Sequence, residues 1–392
     1  MATPGTHDIA RRPTLKSVAE HAGVSVSTAS LVFSGKGPVA QATRSRVLLA
    51  AADLGYHGPD PLASSLRRGR AGVVAVIVEG RLLHAFHDPY AVSVLDGLAT
   101  VLDDIPTGML LISQCLDHGD QAVERLAGTA IDACVFLGCG TVDNPLTEHL
   151  RIRGIPMVAL GPPYGRDIVR IDIDNRAAMG ELAAYLHGLG HRRVAHVTLP
   201  LPRRTTAAAT PTMQTLANLV DNPYPDNSGR IEGVADVFGA QTPAVAAPSA
   251  DVEGGMAAAA VLLDGPRDSA IEAAGPHPSI RAAPARRAKE LRRHDGGRPT
   301  AILAQSDLLA VGVMRAAQER GLRVPEDLSV SGFDGIVLDW WDGTLTTVVQ
   351  PGSGKGAAAG QAIRELLDGG SPASRVLPTQ LRIGTSSGPA RG

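Results

Sequence analysis

The chain has 392 residues, more than one hydrophobic core usually serves, so two or three folding units are expected. Hydrophobic residues make up 44% but aromatics only 3%, so the cores must be built from Ala, Val, Leu and Ile; no stretch reaches the roughly 20 apolar residues of a membrane span. The net charge of −2 hides an asymmetry: residues 1–70 hold nine Lys and Arg against four Asp and Glu, or +5, which leaves −7 for the remainder. A basic head on an acidic body points to a polyanion as the head's partner. The N-terminus has charges but no apolar run after them, unlike a secretory signal. Cys115, Cys134 and Cys139 are odd in number and lack metal-type spacing, which suits buried thiols and a cytoplasmic location.

Residues 1–12 are read as a disordered tail, and three short helices follow between Pro13 and Tyr56. Leu15, Val18, Ala19 and Ala22 recur at helical spacing behind Thr14, a good N-cap. Gly23 can supply the left-handed turn, and Ser25 can cap a second helix carrying Val26, Ala29 and Phe33. Gly35 and Gly37 end it, and Val47, Ala50, Ala51 and Leu54 mark a third. Two helices joined by so short a turn and braced by a third predict a helix-turn-helix headpiece over 13–58, its second helix free to enter a major groove.

The run Pro13-Thr14-Leu15-Lys16-Ser17-Val18-Ala19, then Ala22-Gly23-Val24-Ser25-Val26-Ser27-Thr28-Ala29-Ser30, resembles the headpiece of the LacI/GalR family of transcriptional regulators. Gly35-Lys36-Gly37-Pro38-Val39 and Leu54-Gly55-Tyr56 extend the likeness. The resemblance implies that Val26, Ser27 and Leu31 face base edges while Thr14, Ser25, Thr28 and Lys36 lie near phosphates. Many relatives carry Arg where this chain has Leu31. Arg reads guanine bidentately, whereas Leu offers only apolar contact, for instance to a thymine methyl. Leu31 could instead pack inside the headpiece.

Residues 59–70 are bracketed by Pro and Gly and allow only about two helical turns, marginal in isolation. By resemblance this is a hinge helix that orders on DNA, with Leu62 in contact, Ala63 where paired hinges approach, and Leu66 as a minor-groove wedge. Such a wedge costs a few kcal/mol of unstacking, offset by added contacts. A plain basic linker, attracting phosphates through Arg67, Arg68 and Arg70, is the alternative.

From residue 71 onward continuous apolar runs alternate with helical stretches. The runs are 73–78, 109–113, 131–137, 156–160, 194–199, 301–304, 328–332 and 346–350. Continuous hydrophobicity marks strands buried on both faces, and helices such as 179–189 and 308–320 supply crossovers, giving a doubly wound parallel α/β plan. The family likeness continues in Asp174-Asn175, Leu189-Gly190-His191-Arg192-Arg193-Val194, Ser306-Asp307-Leu308-Leu309-Ala310 and Gly332-Phe333-Asp334. It implies a two-lobed domain of the periplasmic-binding-protein type over 71–392, closing on an effector. Lobe one would hold about 71–172 and 351–378, and lobe two about 175–349 and 379–388.

The same resemblance puts Asp88, Tyr90, Arg230 and Asp334 at the effector, and Ser306 and Gln350 are further candidates at other strand ends. Simpler roles stand beside these: Asp307 as a helix cap, Asp174 as a turn former, Arg230 as a solvated surface residue. Residues 200–230 show no clear periodicity, and 264–298, rich in Pro, Ala, Gly and Arg, read as an inserted surface segment. A strand near 240–250 has only a feeble trace in Ala244–Ala247.

Other motifs lead nowhere. Gly384-Thr385-Ser386-Ser387-Gly388 fits the hydrolase G-x-S-x-G pattern but lacks the downstream acid and His. Gly352-Ser353-Gly354-Lys355-Gly356 fails the phosphate-loop pattern at its first Gly and final hydroxyl, and suits the opening of a helix. His84 and His87 read as a surface pair, and neither metal nor cofactor is expected. The expectation is a DNA-binding transcriptional regulator and not an enzyme. It would be a homodimeric repressor binding double-stranded, pseudo-palindromic operator DNA and answering allosterically to a carbohydrate effector, with no membrane partner. The alternatives are a solute-binding protein or an α/β enzyme using the same cleft.

Overall fold

The computed structural model describes residues 13–35, 37–58, 69–114, 121–138, 140–201, 210–265, 297–338 and 341–391. The chain divides into two units at Gly72 and Val73. Nothing among the described residues forms a helix long and apolar enough to cross a membrane.

The N-terminal unit contains α1 (Leu15–His21), α2 (Val26–Ser34) and α3 (Gln41–Asp53). Thr14 starts α1 with a reciprocal cap: the Ser17 N–H donates to Thr14 Oγ1 at 3.2 Å, and the Thr14 N–H to Ser17 Oγ at 2.8 Å. Two of the four orphan N–H groups of the helix start are thereby satisfied. Gly23, at φ 62, turns the chain into Ser25, whose Oγ accepts from the Thr28 N–H at 3.1 Å and starts α2. Val18, Ala19, Ala29, Val32, Val47, Ala50 and Ala51 form its core. Phe33 and Tyr56 meet edge to face across that core, ring centroids 5.3 Å apart. Small side chains let three short helices approach closely.

The larger unit is built on two sheets. The strands are β1 (Val73–Glu79), β2 (Gly108–Gln114), β3 (Ala133–Leu137), β4 (Met157–Leu160), β5 (Ile168–Asp172), β6 (Val194–Thr198) and β7 (Gln214–Thr215). After them come β8 (Pro243–Ala246), β9 (Ala301–Ala304), β10 (Ser329–Asp334), β11 (Thr346–Val349), β12 (Arg375–Val376) and β13 (Gln380–Arg382). Sheet one runs β12-β5-β4-β3-β1-β2, all parallel. Sheet two runs β13-β11-β10-β9-β6-β8-β7, parallel except for its two edge strands. The chain passes between the sheets after β5, after β11, and between β12 and β13.

All eight apolar runs form strands. β5, β7, β12 and β13 carry no such run: β5 includes the charged Arg170 and Asp172, and the other three are edge strands of only two or three residues. β8 is the strand with the feeble trace. In the stretch without periodicity the structure has a helix, Pro225–Phe238, whose first turns bury Asp226, Asn227 and Arg230. Polar residues on the inward face erase the apolar repeat. The segment 266–296, Cys115 and Cys139 lie outside the described residues; Cys134 is buried in β3.

Helices pack on both faces of each sheet, and glycine lets two of them touch. A Cβ on Gly356 in the helix Gly352–Leu367 would run into the Val94 carbonyl and the Leu98 nitrogen of the helix Pro89–Leu102. The failed phosphate-loop motif is therefore the opening of a buried crossover helix. Ser386, centre of the G-x-S-x-G run, is also structural: its Oγ donates to the Val330 carbonyl at 2.6 Å and accepts from the Thr346 N–H at 2.8 Å.

Candidate functional site

On the headpiece, α2 turns Ala29 and Val32 inward and leaves Ser25, Val26, Ser27 and Leu31 exposed. Val26 is 46% and Leu31 38% exposed, although burying either apolar side chain would be worth about 1.5–3 kcal/mol. Leu31 is thus outside the headpiece core. Ser27 and Leu31, one turn apart, share an outward face. Ser25 Oγ lies 2.8 Å from both Ser27 Oγ and Thr28 Oγ1, a cluster of hydroxyls at the helix N-terminus, where backbone N–H groups favour anions. Thr14 is exposed at the start of α1. Lys36, Leu62, Ala63 and Leu66 lie outside the described residues.

In the larger unit the second site gathers at the carboxyl ends of the strands, where open α/β sheets bind ligands. Asp334 ends β10 in a left-handed conformation, φ 133, that a non-glycine residue adopts only at a cost of about 1–3 kcal/mol. Its Oδ1 accepts from Gln350 Nε2 at 2.7 Å. Gln350, the first residue past β11, in turn accepts the Tyr90 phenol proton on Oε1 at 2.9 Å. A continuous hydrogen-bonded chain thus joins lobe two to lobe one.

Arg230 is 4% exposed, which excludes the solvated-surface alternative. Its Nε donates to Asn175 Oδ1 at 2.9 Å, one terminal nitrogen to the Gln305 carbonyl at 2.6 Å, and its guanidinium lies 3.9 Å over the Phe333 ring centroid. Asn175 Nδ2 also reaches Asp226 Oδ1 at 3.4 Å. Asp88 accepts from the Tyr90 N–H at 3.0 Å and so caps the helix Pro89–Leu102. Ser306 Oγ accepts from the Leu309 N–H at 3.2 Å and caps the helix Asp307–Glu319.

That finding corrects the role expected for Asp307. It does not cap its helix. Its fully buried carboxylate accepts from the Gly335 N–H at 2.7 Å, the Ile336 N–H at 2.8 Å and the Thr347 hydroxyl at 2.6 Å. Asp174 does cap a helix, accepting from the Ala177 N–H at 2.9 Å.

Burial dominates the electrostatics of this cleft. It pushes Asp307 up to about 6 against the pull of its three donors. Asp334 is driven well above the carboxylate range by burial and then by Asp307, with Arg230 and Gln350 pulling the other way. Of the two acids, Asp307 has the donors an ionised group needs, and Asp334 is the more strongly raised. Glu79, at the end of β1, is raised to about 7 by burial, opposed by a hydrogen bond from Tyr224 and reinforced by Asp226. Such a set can grip hydroxyl groups by donating and accepting from fixed positions.

Comparison with known proteins gives the family. Residues 14–59 match the model of bacterial regulatory proteins of the lacI family, and residues 232–387 match a periplasmic binding protein-like domain. The HTH-type transcriptional regulator Rv3575c of Mycobacterium tuberculosis is 31% identical over 394 residues, spanning 97% of this chain and 98% of that protein. The chain belongs to the LacI family. This LacI-family chain is accordingly a DNA-binding transcriptional regulator with an effector-binding domain. Among solved structures, the transcriptional regulator CelR–cellobiose complex shares 25% identity at TM-score 0.60, over 96% of this chain and all of that one. The lac repressor dimer bound to operator and an anti-inducer shares the fold at TM-score 0.70, with 19% identity over the same shares.

In this LacI-family regulator the structure joins Tyr90, Gln350 and Asp334 in one hydrogen-bonded chain, brings Arg230 close enough to act on the charge of Asp334, and uses Asp88 and Ser306 as helix caps. Sequence reasoning missed Glu79, Asn175, Asp226, Gln305 and Lys355. Asn175 stood inside a quoted motif, and Lys355 inside the discarded phosphate-loop pattern; the others lie singly at strand or helix ends without a signal of their own.

Proposed function

We propose that this regulator is a homodimeric repressor that binds a pseudo-palindromic operator and answers to a carbohydrate held between its lobes. One headpiece reads too few base pairs for genomic specificity, so a two-fold pair is required. Val26, Ser27 and Leu31 face the bases in this reading, with Thr14, Ser25, Thr28 and Lys36 at phosphates and Leu62, Ala63 and Leu66 in the minor groove.

The observation that carries the effector reading is the interlobe chain Asp334–Gln350–Tyr90 beside the buried Arg230. Planar donors and acceptors fixed from both lobes suit a polyhydroxylated ligand, and cellobiose in CelR supports the class. Effector binding shifts lobe closure, and the ligand acts only through unequal affinity for the two states. The test is a thermal-shift screen of neutral and acidic sugars, followed by operator binding with each compound that raises the melting temperature. A sugar that stabilises the protein and changes operator affinity is the expected result. Stabilisation by none, or stabilisation with unchanged operator affinity, overturns the reading. Sedimentation on operator DNA should show two chains per site.

A further inference from the structure

Lys355 is only 5% exposed, in the first turns of the helix Gly352–Leu367, just after the chain crosses from lobe two at Gln350. Its Nζ lies 6.0 Å from the Tyr90 ring centroid. Burial alone would draw its proton off, but Tyr90, Asp226 and Asp172 outweigh that and hold the ammonium above the ordinary lysine value. A buried charge normally brings a partner with it, because an unpaired one costs several kcal/mol. Among the described residues Lys355 forms no ion pair with a carboxylate, and the Tyr90 ring is the neighbour that the geometry places beside its ammonium. That phenol already spends its proton on Gln350. An ammonium has three donors, so donors remain at the lobe-one end of the cleft. The exposed Ser353 and Gly354 open the same helix beside it, and no side chain caps that start.

We infer that Lys355 is a specificity-determining residue of the effector cleft, and that the effector carries an acidic group, carboxylate or phosphate, seated on its ammonium. The inference rests on the carbohydrate reading above and narrows it to an acidic sugar. Arg230 and Lys355 each bring a positive charge near Tyr90, and Tyr90, which donates to Gln350 and stands beside Lys355, links the hydroxyl-gripping chain to the ammonium. Burial raises both Asp334 and Glu79, which lessens the negative charge they present to an acidic ligand.

The experiment uses the full chain and matched pairs of ligands: glucose with glucuronate, galactose with galacturonate, and glucose with glucose 6-phosphate. Binding is measured by calorimetry for the wild type, Lys355→Met and Lys355→Arg. The acidic member of at least one pair is expected to bind the wild type about tenfold more tightly than its neutral partner. Lys355→Met should abolish that preference, so that the acidic and neutral members of the pair bind alike, and Lys355→Arg should retain part of it. The uronates and the phosphate ester separate the two acid sources. Neutral sugars binding as tightly as their acids, or a preference that survives Lys355→Met, overturns the role of Lys355 and leaves the carbohydrate reading standing. If no sugar of either kind binds, the carbohydrate reading fails and this inference fails with it. If Lys355→Met does not fold, the wild-type comparison still tests the acidic effector, and a weakened preference in Lys355→Arg tests the role of Lys355.

Discussion

Gln350 is bonded to Asp334 twice: its backbone N–H donates to the Asp334 carbonyl at 3.2 Å and its Nε2 to Asp334 Oδ1 at 2.7 Å. The pair joins the end of β10 to the crossing that follows β11, so the strained backbone of Asp334 is held by the segment that links the lobes. In the proposed function Asp334 binds the effector, and its two bonds to the crossing would couple occupancy to the geometry between lobes.

Asp334→Asn should therefore leave operator binding intact and abolish the response to the effector. Asn keeps the size and can still accept from Gln350, but it cannot exchange a proton or carry charge. Operator titrations with and without the stabilising sugar will show it; an unchanged response would remove Asp334 from the site.

Glu79→Gln should stabilise the protein at pH 8 by about 2 kcal/mol and make no difference near pH 4.5. Glu79 titrates at about 7 in the folded chain against 4.5 as its ordinary value. Between those values the folded state binds more protons than the unfolded one, so this group's contribution to stability falls as pH rises from 4.5 to 7. His196 opposes it: burial lowers its imidazole from 6.5 to about 3, so stability is lost as pH falls below 6.5. The stability advantage of the Gln variant over the wild type should therefore shrink as the pH falls from 8 to 4.5. Thermal melts across the window read both.

Leu31→Arg should change the bases preferred in the operator. Leu31 is exposed and has no core contact to lose, so the melting temperature should move little. A bidentate Arg–guanine contact is worth about 1–3 kcal/mol of discrimination. Selection from a randomised DNA pool should enrich guanine opposite the new side chain; an unaltered consensus would place residue 31 away from the bases.

Gly356→Val should cost about 1–3 kcal/mol or prevent folding, because the new side chain must displace the backbone of the neighbouring helix at Val94 and Leu98. Denaturant unfolding of the variant is the measurement. A neutral result would mean that the two helices can part without loss.

Much of this architecture could be read along the chain. Helical spacing of Val18, Ala19, Ala29 and Val47 outlined the headpiece, because a three-helix core depends on local periodicity; Val26, read with Ala29 and Phe33, is exposed, and Val32 is buried in its stead. Continuous apolar runs marked the central strands, because parallel strands are buried on both faces. β5, β7, β12 and β13 were illegible for the converse reason: a marginal strand needs a neighbour more than a pattern. The helix Pro225–Phe238 escaped notice because its buried face is polar.

The headpiece carried its function in order along the sequence: Thr14 and Ser25 cap their helices through bonds reaching three residues, so spacing alone located them. The cleft is different. Asp334 and Gln350 are sixteen residues apart, Tyr90 and Gln350 two hundred and sixty, and only the crossing of the chain between two sheets brings them together. Lys355 read as part of a failed motif until burial beside Tyr90 gave it a setting. Asp307 read as a helix cap until the fold turned its carboxylate onto Gly335, Ile336 and Thr347. Local hydrogen bonds and periodicity are written in sequence order; burial and long-range charge exist only once the lobes have formed.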